Sequence, residues 1–142
     1  MLGVAEASTR FYDLGVGFQN PLVPWSSLDG TATLLGDAAH AMPPFLGQGA
    51  NQAIQDAYCL ANELAAVGPG QGGKHADVKA ALGAYERSRK PVTSLIMLES
   101  RFLGFLETQS GLGGLARDAF FFTTDKLGVA KQVFLKGAVP RV

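Results

Sequence analysis

Residues 34–64 decide the fold, and they read LLGDAAHAMPPFLGQGANQAIQDAYCLANEL. The small β-favouring run at residues 31–35 predicts a buried strand that leads into Gly36. Asp37 then stands at the carboxyl end of this strand, where ligands bind in open α/β sheets because loops and helix N-termini converge there. The segment therefore predicts a strand, an acidic residue placed to meet a ligand and, after a proline-stiffened loop, a helix.

The helix is predicted to run from Gly49 to the residue before the Gly-Pro-Gly sequence at 68–70. Its predicted packed face is the series of small or apolar residues at helical spacing: Ala53, Ala57, Leu60, Ala61 and Leu64. Gly47 and Gly49 leave no Cβ to obstruct a flat ligand at the helix start. Together with the helix dipole, the free backbone N–H groups of the first turn favour an anion; they belong to Gln48, Gly49, Ala50 and Asn51.

Glycine and proline also divide the rest of the chain. Residues 9–14 predict a short strand followed by a loop. Asp77 is predicted as the N-cap of a second helix, which Pro91 kinks or divides and which continues to the glycines that begin at residue 111. The aromatic tail after these glycines predicts one or two further short helices.

Composition excludes several classes of protein. The 12 Lys and Arg residues balance the 12 Asp and Glu residues, so a strongly basic nucleic-acid binder is excluded. The single cysteine, Cys59, cannot close a disulfide within the chain, which suits a reducing compartment. No apolar run approaches the roughly 20 residues of a membrane span. We expect a cytoplasmic protein with no nucleic-acid partner, no membrane span and no metal site.

The central segment resembles the second flavin-binding motif of the FAD-dependent aromatic hydroxylases, the flavoprotein monooxygenases related to para-hydroxybenzoate and salicylate hydroxylases. Their pattern is a strand, Gly-Asp-Ala-Ala-His, a Pro, Gly-Gln-Gly, an Asn, and then Asp-Ala and Leu along the helix. The matching residues are Gly36, Asp37, Ala38, Ala39, His40, Pro44, Gly47, Gln48, Gly49, Asn51, Asp56, Ala57 and Leu60. A weaker likeness extends the resemblance to roughly residues 20–95.

The resemblance implies an α/β fold of the FAD/NAD(P)-binding, para-hydroxybenzoate hydroxylase-like type. The chain looks like a C-terminal fragment of that fold, mostly helical with one or two strands. It would form a single partial FAD-binding domain with four segments: a lead-in at 1–36, a flavin-binding loop and helix at 37–67, a kinked helix at 77–110 and a tail at 111–142. The N-terminal ADP-binding half, with its Gly-x-Gly-x-x-Gly turn, is expected to be missing from this chain and is counted among its expected partners.

The resemblance also implies the cofactor-binding residues: Gly36, Asp37, Pro44, Gly47, Gln48, Gly49, Ala50 and Asn51. Asp37 would accept a hydrogen bond from a ribityl hydroxyl. Pro44 would lie beside the isoalloxazine ring with its carbonyl toward the substrate, and the N–H groups of residues 47–51 would face the N1–C2=O edge. The implied activity is NAD(P)H- and FAD-dependent hydroxylation of an aromatic substrate by dioxygen, through a flavin C4a-hydroperoxide. No side chain of this chain is assigned a catalytic role.

Several alternatives stay open. The chain could be a truncated, inactive helical interaction module derived from a flavoprotein. His40 is expected to pack a loop corner rather than act as a base, and Asp56 to be structural rather than ligand-binding. Gln48 could face the flavin or only the loop. Arg87 and Arg89 are interpreted as surface or helix-pairing charges, and Cys59 as a buried small apolar residue. Because a lone strand leaves an unpaired edge and an apolar patch, we expect oligomers or aggregates.

Overall fold

The structure, a computed structural model, describes residues 15–67, 75–129, 131, 132 and 135. The main elements in these ranges are four α-helices and one 3₁₀ helix. In chain order the elements are α1 (Asp37–His40), the 3₁₀ helix (Pro44–Leu46), α2 (Gly49–Val67), α3 (His75–Glu107) and α4 (Gly111–Lys126). No helix in these described ranges is long and apolar enough to cross a bilayer. Most of the described residues lie in helices, as the sequence predicts.

Helix α2 has the bounds that the sequence predicts, from Gly49 to the residue before the glycines at 68–70. It packs against α3, and the order of the contacts shows that the two helices are antiparallel. Residue Gln52, near the start of α2, contacts Arg89, whereas Val67 at its end lines a groove with Ala80 of the first turns of α3.

The buried face of α2 differs from the predicted one. Instead of the small apolar stripe, the residues that point inward are Gln52, Gln55, Asp56 and Cys59. In the predicted stripe Ala57, Ala61 and Leu64 are exposed, and Ala53 and Leu60 are only partly buried. Periodicity locates a face of like residues but does not say which face a neighbour covers. Here the polar face points inward because its side chains bond to Arg89, a buried residue of α3.

The predicted strand at residues 31–35 is wrong. Among the described residues this run forms only an isolated antiparallel bridge, between Ser26 and Thr33, and Leu34 and Leu35 are about 40% exposed. A strand needs a neighbour along its length, and the nearest backbone, residues 25–27, provides one bridge and then turns at Gly30. The other predicted strand, at residues 9–14, lies outside the described residues.

Aromatic side chains form the apolar core beside this turn. Trp25 packs between the rings of His40 and Tyr85, with centroid distances of 5.6 and 5.7 Å. The Tyr85 hydroxyl donates to the carbonyl of Leu34 at 3.1 Å. Burial raises the pKa of Tyr85 well above its usual value, so the hydroxyl keeps its proton as a donor. Cys59 is buried in the same cluster, which confirms its assignment as a small apolar residue.

Helix α3 begins and ends a few residues earlier than the predicted 77–110 and is continuous through Pro91. It begins at His75, so Asp77 lies in its first turn and is not the N-cap. Pro91 lies inside the helix and does not divide it. Two residues after this proline, the Thr93 hydroxyl donates to the carbonyl of Arg89 at 3.2 Å. Pro91 has no N–H to donate in this turn, and the Thr93 hydroxyl adds a side-chain hydrogen bond to a neighbouring carbonyl.

The loop before α2 lies on the second half of α3. The Ser100 hydroxyl donates to the carbonyl of Pro43 at 2.5 Å. Phe45, in the 3₁₀ helix, covers Gly104 so closely that a Cβ on this glycine would lie 2.2 Å from the ring. Gly104 therefore makes room for Phe45, and this contact fixes the loop that precedes α2.

Helix α4 confirms the prediction of helix in the tail and packs on the end of α3. Arg117 donates to the carbonyls of Glu107 and Gln109, at 3.3 and 3.1 Å, and so caps the end of α3. The rings of Phe102 and Phe120 meet edge to face. Large apolar side chains stay exposed on several helices, among them Ile54, Tyr58, Phe105, Leu112 and Phe122. These exposed residues are consistent with the expected self-association, which stays a prediction.

We predict that Gly104→Ala destabilises the protein by about 1 to 3 kcal/mol, because the new methyl group displaces the Phe45 ring from a packed contact. Gly83→Ala in the same helix is the matched control. A Cβ at Gly83 meets only the mobile end of Arg87, at 3.1 Å, so the better helix former should be neutral or stabilising by up to about 1 kcal/mol. Urea unfolding followed by fluorescence of Trp25, the single tryptophan, measures both. Equal midpoints for the two variants would contradict the assigned contact.

Candidate functional site

Asp37 lies at the surface, at the first position of α1. It follows Gly36, whose backbone conformation only glycine adopts easily. Gly36 has φ 58° and ψ −142°, and a Cβ there would also lie 3.3 Å from the methyl group of Ala53. The Asp37 carboxylate oxygen Oδ1 lies 3.8 Å from the point where a Cβ of Gly49 would be. The structure therefore brings Asp37 and the start of α2 together, as the sequence predicts.

The N-terminus of α2 is the electropositive part of this region. The N–H groups of Gly49, Ala50 and Asn51 have no acceptor within the helix, as at the start of any α-helix. Gln52 is the first residue to bond back, donating to the carbonyl of Gln48 at 2.9 Å. Ala50 and Asn51 are exposed. A negatively charged or electron-rich group beside them would be stabilised by the helix dipole.

Two glycines flank this helix start for different reasons. Gly47 has φ 60° and ends the 3₁₀ helix, so its backbone conformation requires glycine. Gly49 has no positive φ, and nothing closer than the Asp37 carboxylate would meet its Cβ. Glycine is also a poor helix former. Neither the backbone nor a neighbouring side chain requires a glycine at position 49. The missing Cβ leaves room for a flat group to approach the helix start closely.

The structure departs from the expectation at Pro44 and shows which way the side chain of Gln48 points. The carbonyl of Pro44 accepts the N–H of Gly47 at 2.9 Å, so both groups are used inside the turn rather than turned toward a ligand. Gln48 is buried, and its side-chain oxygen accepts a hydrogen bond from Asn51 at 3.2 Å. Of its two open interpretations the structure favours the loop. Pro44 and Gly47 are nevertheless exposed beside the helix start.

Behind the site lies a fully buried charge network that centres on Asp56. Its oxygen Oδ1 accepts a hydrogen bond from Nε of Arg89 at 2.8 Å, and its oxygen Oδ2 accepts the N–H of Gly36 at 3.0 Å. His40 Nε2 also bonds to Oδ2. The remaining guanidinium nitrogens of Arg89 donate to the side-chain oxygens of Gln52, at 2.7 Å, and Gln55, at 3.2 Å. The network joins α1, α2 and α3.

The Asp56 carboxylate is ionised at neutral pH. Burial by itself would raise the pKa of this carboxyl group, but hydrogen bonds from His40, Arg89 and Gly36 outweigh burial and lower the pKa below its usual value. Because an ionised carboxylate only accepts hydrogen bonds, Nε2 of His40 is the donor. His40 and Asp56 therefore have the structural roles that the sequence analysis favours.

The sequence names Arg89 as a surface or helix-pairing charge but does not reveal that its side chain is buried. The interpretation of it as a surface charge is wrong, because the side chain is fully buried; pairing between helices is what it does. Arg87, two residues earlier, is exposed. A signal was present in α2, where Gln52, Gln55 and Asp56 share one helix face in an otherwise apolar stretch. A polar face of this kind indicates a buried polar partner.

Metal binding finds no support in the described ranges, where no group of three or more His, Cys, Asp or Glu side chains could hold an ion. The site thus consists of an exposed carboxylate, a helix N-terminus and a glycine-lined approach. Its chemistry suits an organic ligand with hydroxyl groups and an electron-rich edge.

Comparison with known proteins finds one matching family model and several named relatives. Residues 26–100 match the family model described as an FAD binding domain. The chain is 43% identical to 3-hydroxybenzoate 6-hydroxylase 1 of Aquipseudomonas alcaligenes over 59% of its own length, and 41% identical to kynurenine 3-monooxygenase of Xanthomonas campestris over 61%. It is 34% identical to the chloroplastic zeaxanthin epoxidase of Prunus armeniaca over 86%. The chain spans about a fifth of each relative, 19%, 17% and 19% of their lengths.

We predict that Arg89→Met lowers the free energy of unfolding by about 3 to 5 kcal/mol, because it leaves the Asp56 carboxylate buried without its guanidinium partner. Arg87→Met removes the same kind of side chain from an exposed position of the same helix and should change stability by less than about 0.5 kcal/mol. Urea unfolding followed by Trp25 fluorescence compares the two. Similar losses in both variants would show that the buried pair does not hold α2 to α3.

The lowered pKa of Asp56 also predicts acid sensitivity. The pKa of an unfolded aspartate is about 3.9, so the stabilisation from Asp56 is complete above that value. It is lost as the pH falls toward the lower pKa of the folded state. Carboxyl ¹³C shifts followed by NMR across this pH range measure the titration of Asp56 in the folded chain. A midpoint for Asp56 above that of an unfolded aspartate would contradict the assigned hydrogen bonds.

Proposed function

This chain belongs to the family of FAD-binding domains, and we propose that its residues 36–51 hold the flavin end of FAD in a monooxygenase. The observation that carries the proposal is Gly49, a glycine at a helix start that the fold itself does not require. A flat ligand ring beside the backbone explains it. The family match and the relatives' oxygen-inserting names support the same conclusion.

Each part of the site has a role toward such a ligand. The exposed Asp37 carboxylate would accept a hydrogen bond from a ribityl hydroxyl. The free N–H groups of Gly49, Ala50 and Asn51 would face the electron-rich edge of the flavin ring. Gly36 and Gly47 would shape the backbone around the ligand, Gln48 would contribute as the residue that caps α2, and Pro44 would lie beside the ring.

Bound FAD would supply the redox chemistry, taking reducing equivalents from NAD(P)H and using dioxygen to hydroxylate a small aromatic substrate. The protein's own part is to position the ring and to stabilise negative charge at its edge. The relatives named as a hydroxylase of 3-hydroxybenzoate and a monooxygenase of kynurenine support an aromatic substrate. We propose a cytoplasmic location, in keeping with the single cysteine.

The affinity of this chain for flavin is expected to be low. A helix dipole contributes about 0.3 to 2 kcal/mol and a charge-assisted hydrogen bond about 1.5 to 3 kcal/mol, whereas a micromolar Kd requires about 8 kcal/mol. A Kd near the millimolar range is therefore the expectation. NMR chemical shifts detect such weak binding residue by residue.

We predict that titration of the ¹⁵N-labelled chain with FAD produces saturable shifts of the amide signals of residues 36 and 47–51. Asp37→Ala should weaken binding about ten- to a hundredfold, so that its shifts no longer saturate. Asp118→Ala, which removes an exposed carboxylate from α4, should bind like the wild type. Gly49→Ala should leave urea stability unchanged or raise it, because nothing in the fold lies closer than 3.8 Å to the new Cβ, but it should weaken binding because the methyl group fills space proposed for the flavin ring.

The same experiment separates the proposal from its main alternative. An inactive helical interaction module would show no saturable shifts at residues 36 and 47–51 at any flavin concentration. If these shifts appeared but Asp37→Ala saturated like the wild type, the ligand would bind at this helix start without using the Asp37 carboxylate.

A further inference from the structure

Both ends of α1 are tied to one oxygen atom of the Asp56 carboxylate. The N–H of Gly36, which precedes α1, donates to Oδ2 of Asp56 at 3.0 Å, and Nε2 of His40, its last residue, donates to the same atom. Asp37 lies between these two attachment points. The only exposed carboxylate of the proposed flavin site is thus on a four-residue helix held at both ends by a buried anion.

The anion itself is fixed from the opposite side. Oδ1 of Asp56 accepts Nε of Arg89 at 2.8 Å, and all three side chains, those of Asp56, His40 and Arg89, are fully buried. Hydrogen bonds in such surroundings are strong and directional because water does not compete for the partners. The position of Asp37 relative to the start of α2 therefore depends on side chains that do not touch the ligand site.

We propose that His40 and Asp56 are positioning residues of the flavin site: they hold α1 so that the Asp37 carboxylate stays beside the N-terminus of α2. The inference rests on the proposed function of residues 36–51. The Nε2–H donor of His40 can be removed without leaving a buried charge unpaired, because Arg89 and Gly36 still bond to Asp56.

Two substitutions of His40 separate the hydrogen bond from simple packing. The amide nitrogen of glutamine can stand where Nε2 of histidine stands, whereas the shorter asparagine cannot reach Asp56 from that position. Within the described residues Nδ1 of His40 has no hydrogen-bond partner, so neither substitution removes a second bond. Both variants lose the ring that packs on Trp25. Loss of packing therefore affects the two alike, and only loss of the donor distinguishes them.

The first measurement needs no flavin. Amide hydrogen exchange reports local opening of α1 through the N–H groups of Gly36, Ala39 and Ala41, which are bonded to Asp56 and within the turn. In His40→Asn these amides should exchange about tenfold faster than in the wild type while the amides in the middle of α3 do not change. In His40→Gln they should stay protected. Equal protection in both variants would overturn the proposal.

The second measurement is FAD titration of the same three proteins by NMR. His40→Asn should raise the Kd about tenfold relative to the wild type, and His40→Gln should restore most of the affinity. If the wild type bound FAD and both variants bound equally well, the positioning role would be wrong. If the wild type bound no FAD, the proposed function would fail, and the exchange data alone would still decide whether His40 holds α1.

Discussion

The Asp56 carboxylate is the constraint on which the remaining structure depends. An ion of this kind costs several kcal/mol to remove from water, and the cost is offset only if every oxygen finds good donors. Here the donors come from three separate parts of the chain: the backbone before α1, the imidazole at its end, and a guanidinium on α3. Since no donor can move away without exposing the charge to an apolar interior, the carboxylate fixes the three segments relative to one another.

The apolar face of an amphipathic helix usually points inward, but in α2 the polar face does. Helix α2 turns its amides and its carboxylate toward α3, where Arg89 meets them, and leaves Ile54 and Tyr58 largely exposed. Apolar packing between the two helices is correspondingly modest, with Cys59 and its aromatic neighbours as the main cluster. Directional bonds rather than buried area therefore set the position of α2, and with it the position of its N-terminus beside Asp37.

How much of this the sequence predicts depends on the range of the interactions involved. The bounds of α2 are local: Gly49 begins the helix and the glycines at 68–70 follow its end, so they could be predicted. The grouping of Asp37 with the helix start could also be predicted, because only residues 38–48 separate them. The inward face of α2 could not, since it is decided by Arg89, which lies 33 residues from Asp56. The strand at residues 31–35 failed for a related reason: local β propensity does not provide a neighbouring strand.

The glycines show how a structure separates folding requirements from binding requirements. Gly36 and Gly47 are explained by their positive φ, and Gly104 by the ring of Phe45 that lies where its Cβ would be. Gly49 has none of these reasons. Gly83 also lacks these reasons, so a glycine that the fold does not require is not by itself a ligand site; at Gly49 it coincides with the unbonded N–H groups of a helix start beside Asp37. The geometry indicates a close approach at this helix start, and the family match is the reason that a flavin is the proposed ligand.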